Sequence, residues 1–110
     1  PGTLDLSEAS SLDLSAAFQR VLDLLRERSA FSVIQGEEIP IEQSMGEILS
    51  TLKARPGKAL SFEELFPVER GMAGAISTFL ALLELARMHQ LKMVQVNSAD
   101  PLMVHLRSEE

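Results

Sequence analysis

The sequence predicts an α+β fold, mainly α: a three-helix core closed by a β-hairpin and preceded by one further amphipathic helix. Three observations carry that expectation. Apolar residues recur at three-and-four spacing in three separate runs, a Ser-x-x-Glu pair marks the start of a short helix, and two β-prone runs near the end flank a turn-forming segment.

Taken in order, residues 1–12 (PGTLDLSEASSL) mix small, acidic, Gly and Pro residues without a sustained period and read as a flexible linker. The chain opens at Pro1 instead of Met, as a piece cut from something longer would. From Asp13 the pattern changes. Leu14, Ala17, Phe18, Val21, Leu22 and Leu25 share one helical face, Asp13 or Ser15 can cap its start, and Arg26 and Arg28 suit its C-terminal end. Residues 31–41 (FSVIQGEEIPI) are broken by Gly36 and Pro40 and form a connector with room for an extended stretch at 32–34. Lead-in helix and connector thus occupy 13–41, the main domain 42–107 and a short tail 108–110.

Ile41, Met45, Ile48, Leu49 and Leu52 mark the next helix, which must stop before Arg55-Pro56-Gly57 because proline disfavours a helical predecessor. Ser61 and Glu64 match a capping box opening a short helix that Pro67 ends. The longest periodic run follows over 69–89, where Met72, Ile76, Phe79, Leu80 and Leu83 share a side expected to face the core. Residues 91–96 and 102–106, around Asn97-Ser98-Ala99-Asp100-Pro101, read as a hairpin, with 58–60 as a short third strand. This is the element order of a winged helix.

Composition narrows the function. With 10 Lys+Arg against 16 Asp+Glu the net charge is −6, which repels nucleic acid in bulk. The longest apolar run, 79–83, is far short of the roughly 20 residues that span a bilayer, and no signal peptide opens the chain. A soluble protein without a membrane partner is expected. Zero Cys removes disulfides, thiolate nucleophiles and Cys-held metals, and suits a reducing cytoplasm. His89 and His105 lack an HxxxH or HxH partner, and the carboxylate pairs Glu37-Glu38, Glu63-Glu64 and Glu109-Glu110 are adjacent, splayed by about 100° on a helix instead of converging. Gly71 and Gly74 sit in no phosphate-binding pattern and read as points of close backbone approach. The expectation is a non-enzyme with no catalytic residues, metal or cofactor.

Two segments carry more apolar surface than one small core requires. Leu82 and Leu85 lie off the edge of the expected core stripe, and both faces of the hairpin hold apolar side chains, whereas a solvated wing keeps one face polar. Part of this surface is therefore expected to be covered by another protein. Direct DNA reading is not. From residue 42 to 107 seven bases (Lys53, Arg55, Lys58, Arg70, Arg87, Lys92, Arg107) balance seven acids, and the long helix offers Ala, Leu, Ser and Thr between Arg70 and Arg87.

The run 77–87 (STFLALLELAR), followed by Val94-Gln95, resembles the signature of the C-terminal domain of segregation and condensation protein A, the bacterial kleisin; 39–52 (IPIEQSMGEILSTL) and 60–66 (LSFEELF) fit the same pattern. The resemblance covers about 13–107. It implies a scaffold. Kleisins of this kind bridge the two ATPase heads of a structural-maintenance-of-chromosomes (SMC) dimer, their C-terminal winged helix docks on one head, and a central segment ahead of it binds segregation and condensation protein B. Under this likeness the head-docking patch comprises Leu82, Leu85, Met93, Gln95, Met103 and His105, while Phe79, Leu80 and Leu83 are core. DNA is reached only indirectly, and the location is cytoplasmic and nucleoid-associated. Homo-oligomerisation through the same patch is the alternative, ahead of a DNA-binding regulator. Two departures put wing-tip contacts in doubt: the turn 97–101 lacks a Phe-Gly, and His105 replaces an aliphatic or polar strand residue.

Overall fold

Where the sequence is periodic, helices form. A computed structural model describes residues 2–4, 13–28, 38–97 and 100–107. Its order is β1 (Gly2–Leu4), α1 (Leu14–Glu27), α2 (Ile41–Lys53), β2 (Ala59–Ser61), α3 (Gly71–Arg87), β3 (Leu91–Gln95) and β4 (Met103–Leu106), a mixed and mainly helical fold. The third strand falls one residue later than expected. The proposed stretch at 32–34, the tail and the tip of the 97–101 turn lie outside the described residues.

The strands form one antiparallel sheet in the order β1-β3-β4-β2. Met93 pairs with Val104, which pairs with Leu60; Lys92 pairs with His105, which pairs with Ala59. Paired residues share a face, so Met93, Val104 and Leu60 turn inward and are buried, while the Lys92 row faces outward. β1 departs from the linker reading. Gly2–Leu4 pairs with β3, in the register Thr3 with Val94, because the hairpin offers an unpaired edge there.

The short helix expected after Ser61 does not form as an α-helix. Two 3-10 turns, Glu63–Leu65 and Val68–Arg70, flank Pro67 instead. The capping box is nonetheless made: the Ser61 N–H donates to Glu64 Oε1 (3.0 Å) and the Glu64 N–H to Ser61 Oγ (3.3 Å). Pro67 comes too soon after it for an α-helical ladder to propagate.

α1 begins where Asp13 accepts from the Ala16 N–H (3.0 Å) and buries Ala17, Val21 and Leu25. It belongs to the core. Phe18 on α1 stacks on Phe79 of α3 (centroids 4.8 Å apart) and approaches Phe66 (6.0 Å), which meets Phe62 (4.9 Å). Arg20 pairs with Glu63 at 2.7 Å over the top of this cluster.

α3 starts at Gly71, whose φ of 63° and ψ of −150° are open essentially to glycine alone. One turn on, a Cβ at Gly74 would meet Arg70 Cβ at 2.7 Å and Pro67 Cγ at 3.3 Å, so the helix can enter beside the 67–70 turn only without a side chain there. At its far end the Gln90 N–H donates to the Leu85 carbonyl (2.9 Å) and the His89 N–H to that of Ala86 (3.0 Å), a Schellman cap with His89 left-handed at φ 61°.

The face that α3 buries is not the expected one. Ala75, Thr78, Leu82 and Leu85 form one buried stripe and Gly74, Ser77 and Ala81 a second beside it, whereas Ile76 is 50% and Leu80 42% exposed, and Phe79 and Leu83 are only half-buried. The reason is steric. α3 packs against α2, α1 and β3 together, and its small residues allow that close approach, whereas among the described residues no element packs over the Ile76–Leu80 side.

Candidate functional site

Four of the six residues of the expected docking patch do not lie on the surface. Leu82, Leu85 and Met93 are fully enclosed in the core, and Gln95 is buried as a structural hydrogen-bonder. Its Oε1 accepts from the Asp13 N–H (3.3 Å) and its Nε2 donates to the Asp100 carbonyl (3.0 Å), tying the start of α1 to the hairpin turn. Met103 and His105 are half-buried on the outer face of the sheet, away from the other four. The apolar excess in sequence marks the core of a domain that includes α1, not an interface.

The exposed apolar surface lies on the opposite side of α3. Ile76 and Leu80, one turn apart, with Ala73, Ile39, Pro40 and Ile41, line a groove of about 530 Å³. It continues past Ile41 and Leu80 into a second hollow of about 590 Å³ walled by Met45, Leu83, Glu84 and Arg87. Four hydrogen bonds tie α2 and its entry to α3 and the turn ahead of it. The Ser77 hydroxyl meets Ser44 Oγ at 2.7 Å, buried, and donates to the Pro40 carbonyl at 3.3 Å; one turn along, Arg70 grips Glu47 with both guanidinium nitrogens (2.8 and 3.2 Å). Pro40, with φ −58° and ψ 140°, leads the chain into α2, and it lines the groove together with Ile39 and Ile41.

Charge gathers on the rim. Glu38 and Glu42 have no ion-pair partner among the described residues, and Glu84 pairs with Arg87, which lowers the Glu84 carboxyl below its ordinary range. The arrangement can hold apolar side chains. Among the described residues its walls carry neither histidine nor a buried carboxylate, and no group of three or more His, Asp or Glu able to hold a metal occurs. His89 caps α3 and His105 sits on β4, in separate structural contexts. One signal in the sequence could have located the groove. The stripe Ala75, Thr78, Leu82, Leu85 obeys helical spacing as well as Met72, Ile76, Phe79, Leu83 does, and its smaller residues are the better partners for close packing.

The family description "Segregation and condensation protein ScpA" matches residues 4–107. The chain belongs to that family. Proteins named segregation and condensation protein A are similar to it: that of Lactiplantibacillus plantarum is 33% identical over 99 residues, 89% of this chain and 38% of the relative. Those of Xylella fastidiosa (39% over 84 residues, 74% and 27%) and Bacillus velezensis (40% over 80 residues, 72% and 31%) agree. The chain thus spans about a quarter to two-fifths of the length of these relatives. No solved structure matches it, and no helix among the described residues is long and apolar enough to cross a membrane.

Proposed function

We propose that this chain is the winged-helix module by which a bacterial kleisin docks on the ATPase head of its SMC partner, and that the groove over Ile76 and Leu80 is its contact face. The winged-helix reading is supported by element order: α2, the short strand β2 paired to β4, the 63–70 turns in place of a second helix, α3, then the β3–β4 hairpin. The single observation that carries the docking reading is the exposure of two large aliphatic side chains one helical turn apart, above a preformed groove. In this role the module is a scaffold without catalysis or cofactor. Segregation and condensation protein B would bind the central kleisin segment ahead of this domain, and the complex would serve chromosome condensation and segregation.

The test is calorimetric titration with the isolated head, comparing the parent chain with Leu80→Glu and Ile76→Glu. Both sites are exposed, so both variants should melt as the parent does. Binding with a negative heat-capacity change, lost in both variants, is the expected result. A folded head that does not bind, or that binds the variants equally, overturns this reading, and mass that grows with concentration in light scattering without a head would assign the groove to self-association.

A further inference from the structure

Ion pairing among the described residues uses Arg20, Arg26, Arg70 and Arg87. Lys53, Arg55, Lys58, Lys92 and Arg107 enter none of those pairs and are all exposed; Lys58, Lys92 and Arg107 lie at one end of the sheet, with Lys53 and Arg55 on the segment that leads to Lys58. Chain and register place them there. The Lys58 N–H donates to the Arg55 carbonyl (2.9 Å) through a turn in which Gly57 and Lys58 both have positive φ, and Lys58 leads directly into Ala59. Ala59, His105 and Lys92 form one cross-strand row, which at about 4.8 Å per strand sets Lys92 on the order of 10 Å from β2. Arg107 continues the same ladder, its N–H donating to the Gln90 carbonyl (3.1 Å).

The parts of β2, β3 and β4 and their flanks at this end, 53–60, 90–93 and 104–107, contain those five cations and no acidic residue. Glu64, near Arg55, Glu109 and Glu110, just past Arg107 in sequence, and Asp5, just past the Leu4 that pairs with Met93, reduce the excess to plus one; the remainder of the chain carries minus seven. Screening limits the remote acids: at physiological ionic strength a charge is felt over about 8 Å. The neutral count over 42–107 therefore conceals a sorted distribution.

We propose that this end of the sheet contacts the phosphate backbone of a nucleic acid duplex directly and without sequence preference. The outward row holds Lys92, His105 and Ala59, with no large aliphatic or aromatic anchor of the kind a protein interface is built around, so its recognition is Coulombic and hydrated. The proposal is independent of the groove and of what docks there.

Fluorescence anisotropy with a labelled duplex of about thirty base pairs tests it. Four to five phosphate contacts predict a log–log salt slope of about −4, hence a loss of affinity on the order of 10²-fold between 50 and 200 mM salt. Lys58→Glu with Lys92→Glu should weaken binding at least tenfold, while Arg28→Glu, an exposed cation at the end of α1, should leave it unchanged; circular dichroism melting checks that all variants fold. No binding at 50 mM salt, or equal weakening by Arg28→Glu, overturns the proposal. So does displacement by polyglutamate as effective as by unlabelled duplex, which would assign the surface to an acidic protein.

Discussion

Leu80 and Leu82 stand two positions apart on α3, and their environments are opposite: 42% against 0% exposed. Leu82→Ala should therefore cost about 2–5 kcal/mol, since it leaves a cavity among Leu85, Met93 and their neighbours, and Leu80→Ala less than about 1 kcal/mol. Denaturant midpoints of the two variants check this directly. Equal losses would mean that the helix is rotated. From sequence alone the order is reversed, because both residues lie on acceptable helical stripes and only the tertiary neighbours choose between them. Gln95 makes the same point for a polar side chain. Alternation in the hairpin places it on the face of Leu91 and Met93, but nothing in its own segment reveals that Asp13, 82 residues away, needs its oxygen. Gln95→Leu keeps the volume and removes both hydrogen bonds, stranding the Asp13 N–H and the Asp100 carbonyl; a loss of about 1–3 kcal/mol is expected in thermal denaturation. A variant as stable as the parent would show that this tie between α1 and the hairpin is dispensable.

At the level of elements, α1, α2, α3 and the hairpin were legible because each carries its own period, and caps such as Asp13 and the Ser61–Glu64 box are local chemistry. β1 was not: three residues, Gly2, Thr3 and Leu4, have no pattern, and their strand state comes from the edge of β3. His89 ends α3 at a conformational cost, since it holds the left-handed position that glycine fills best. His89→Gly should stabilise the protein by about 0.5–1 kcal/mol and raise the melting temperature by a few degrees; a fall would mean that the imidazole makes a compensating contact. Three glutamates held by hydrogen bonds or ion pairs contribute to the acid limb of stability. Arg70 and then Gln43 hold the Glu47 carboxyl below its ordinary range, the Ser61 backbone N–H and then its hydroxyl do so for Glu64, and Arg87 for Glu84. Because these folded-state values are depressed, the unfolded chain binds more protons through the window between the two, so their contribution is full above the ordinary carboxylate range and is lost as pH falls through the lowered values. Glu47→Gln should lower the melting temperature at neutrality and flatten its dependence on pH, the variant and the parent converging as pH falls through the lowered value. An unchanged acid slope would deny Glu47 this part.

For the whole molecule, the question is where the domain begins. Composition and rhythm set the boundary near residue 42, and the lead-in helix looks separable by a connector broken at Gly36 and Pro40. Packing argues otherwise. Ala17, Val21 and Leu25 are at most 1% exposed in the same cluster as Leu52, Leu82 and Leu85, and Phe18 completes an aromatic group with Phe66 and Phe79. A chain this small buries only about two-thirds of the surface its unfolded form exposes, so it has little core to spare. This also explains the apolar excess on α3: Leu82, Leu85 and Phe79 are too many for a core of α2, α3 and the sheet, and about right once α1 is counted in. A chain truncated to residues 38–110 should consequently expose that face, bind a hydrophobic dye and lose its cooperative melting transition or have it lowered by well over 10 °C, because the buried side chains removed contribute on the order of 1.5–3 kcal/mol each. Adding back a peptide of residues 13–28 at increasing concentration should restore the transition by mass action. A truncated chain that melts within a few degrees of the parent would place the domain boundary at residue 42 after all, and the burial of Leu82 and Leu85 would then need an occupant other than α1.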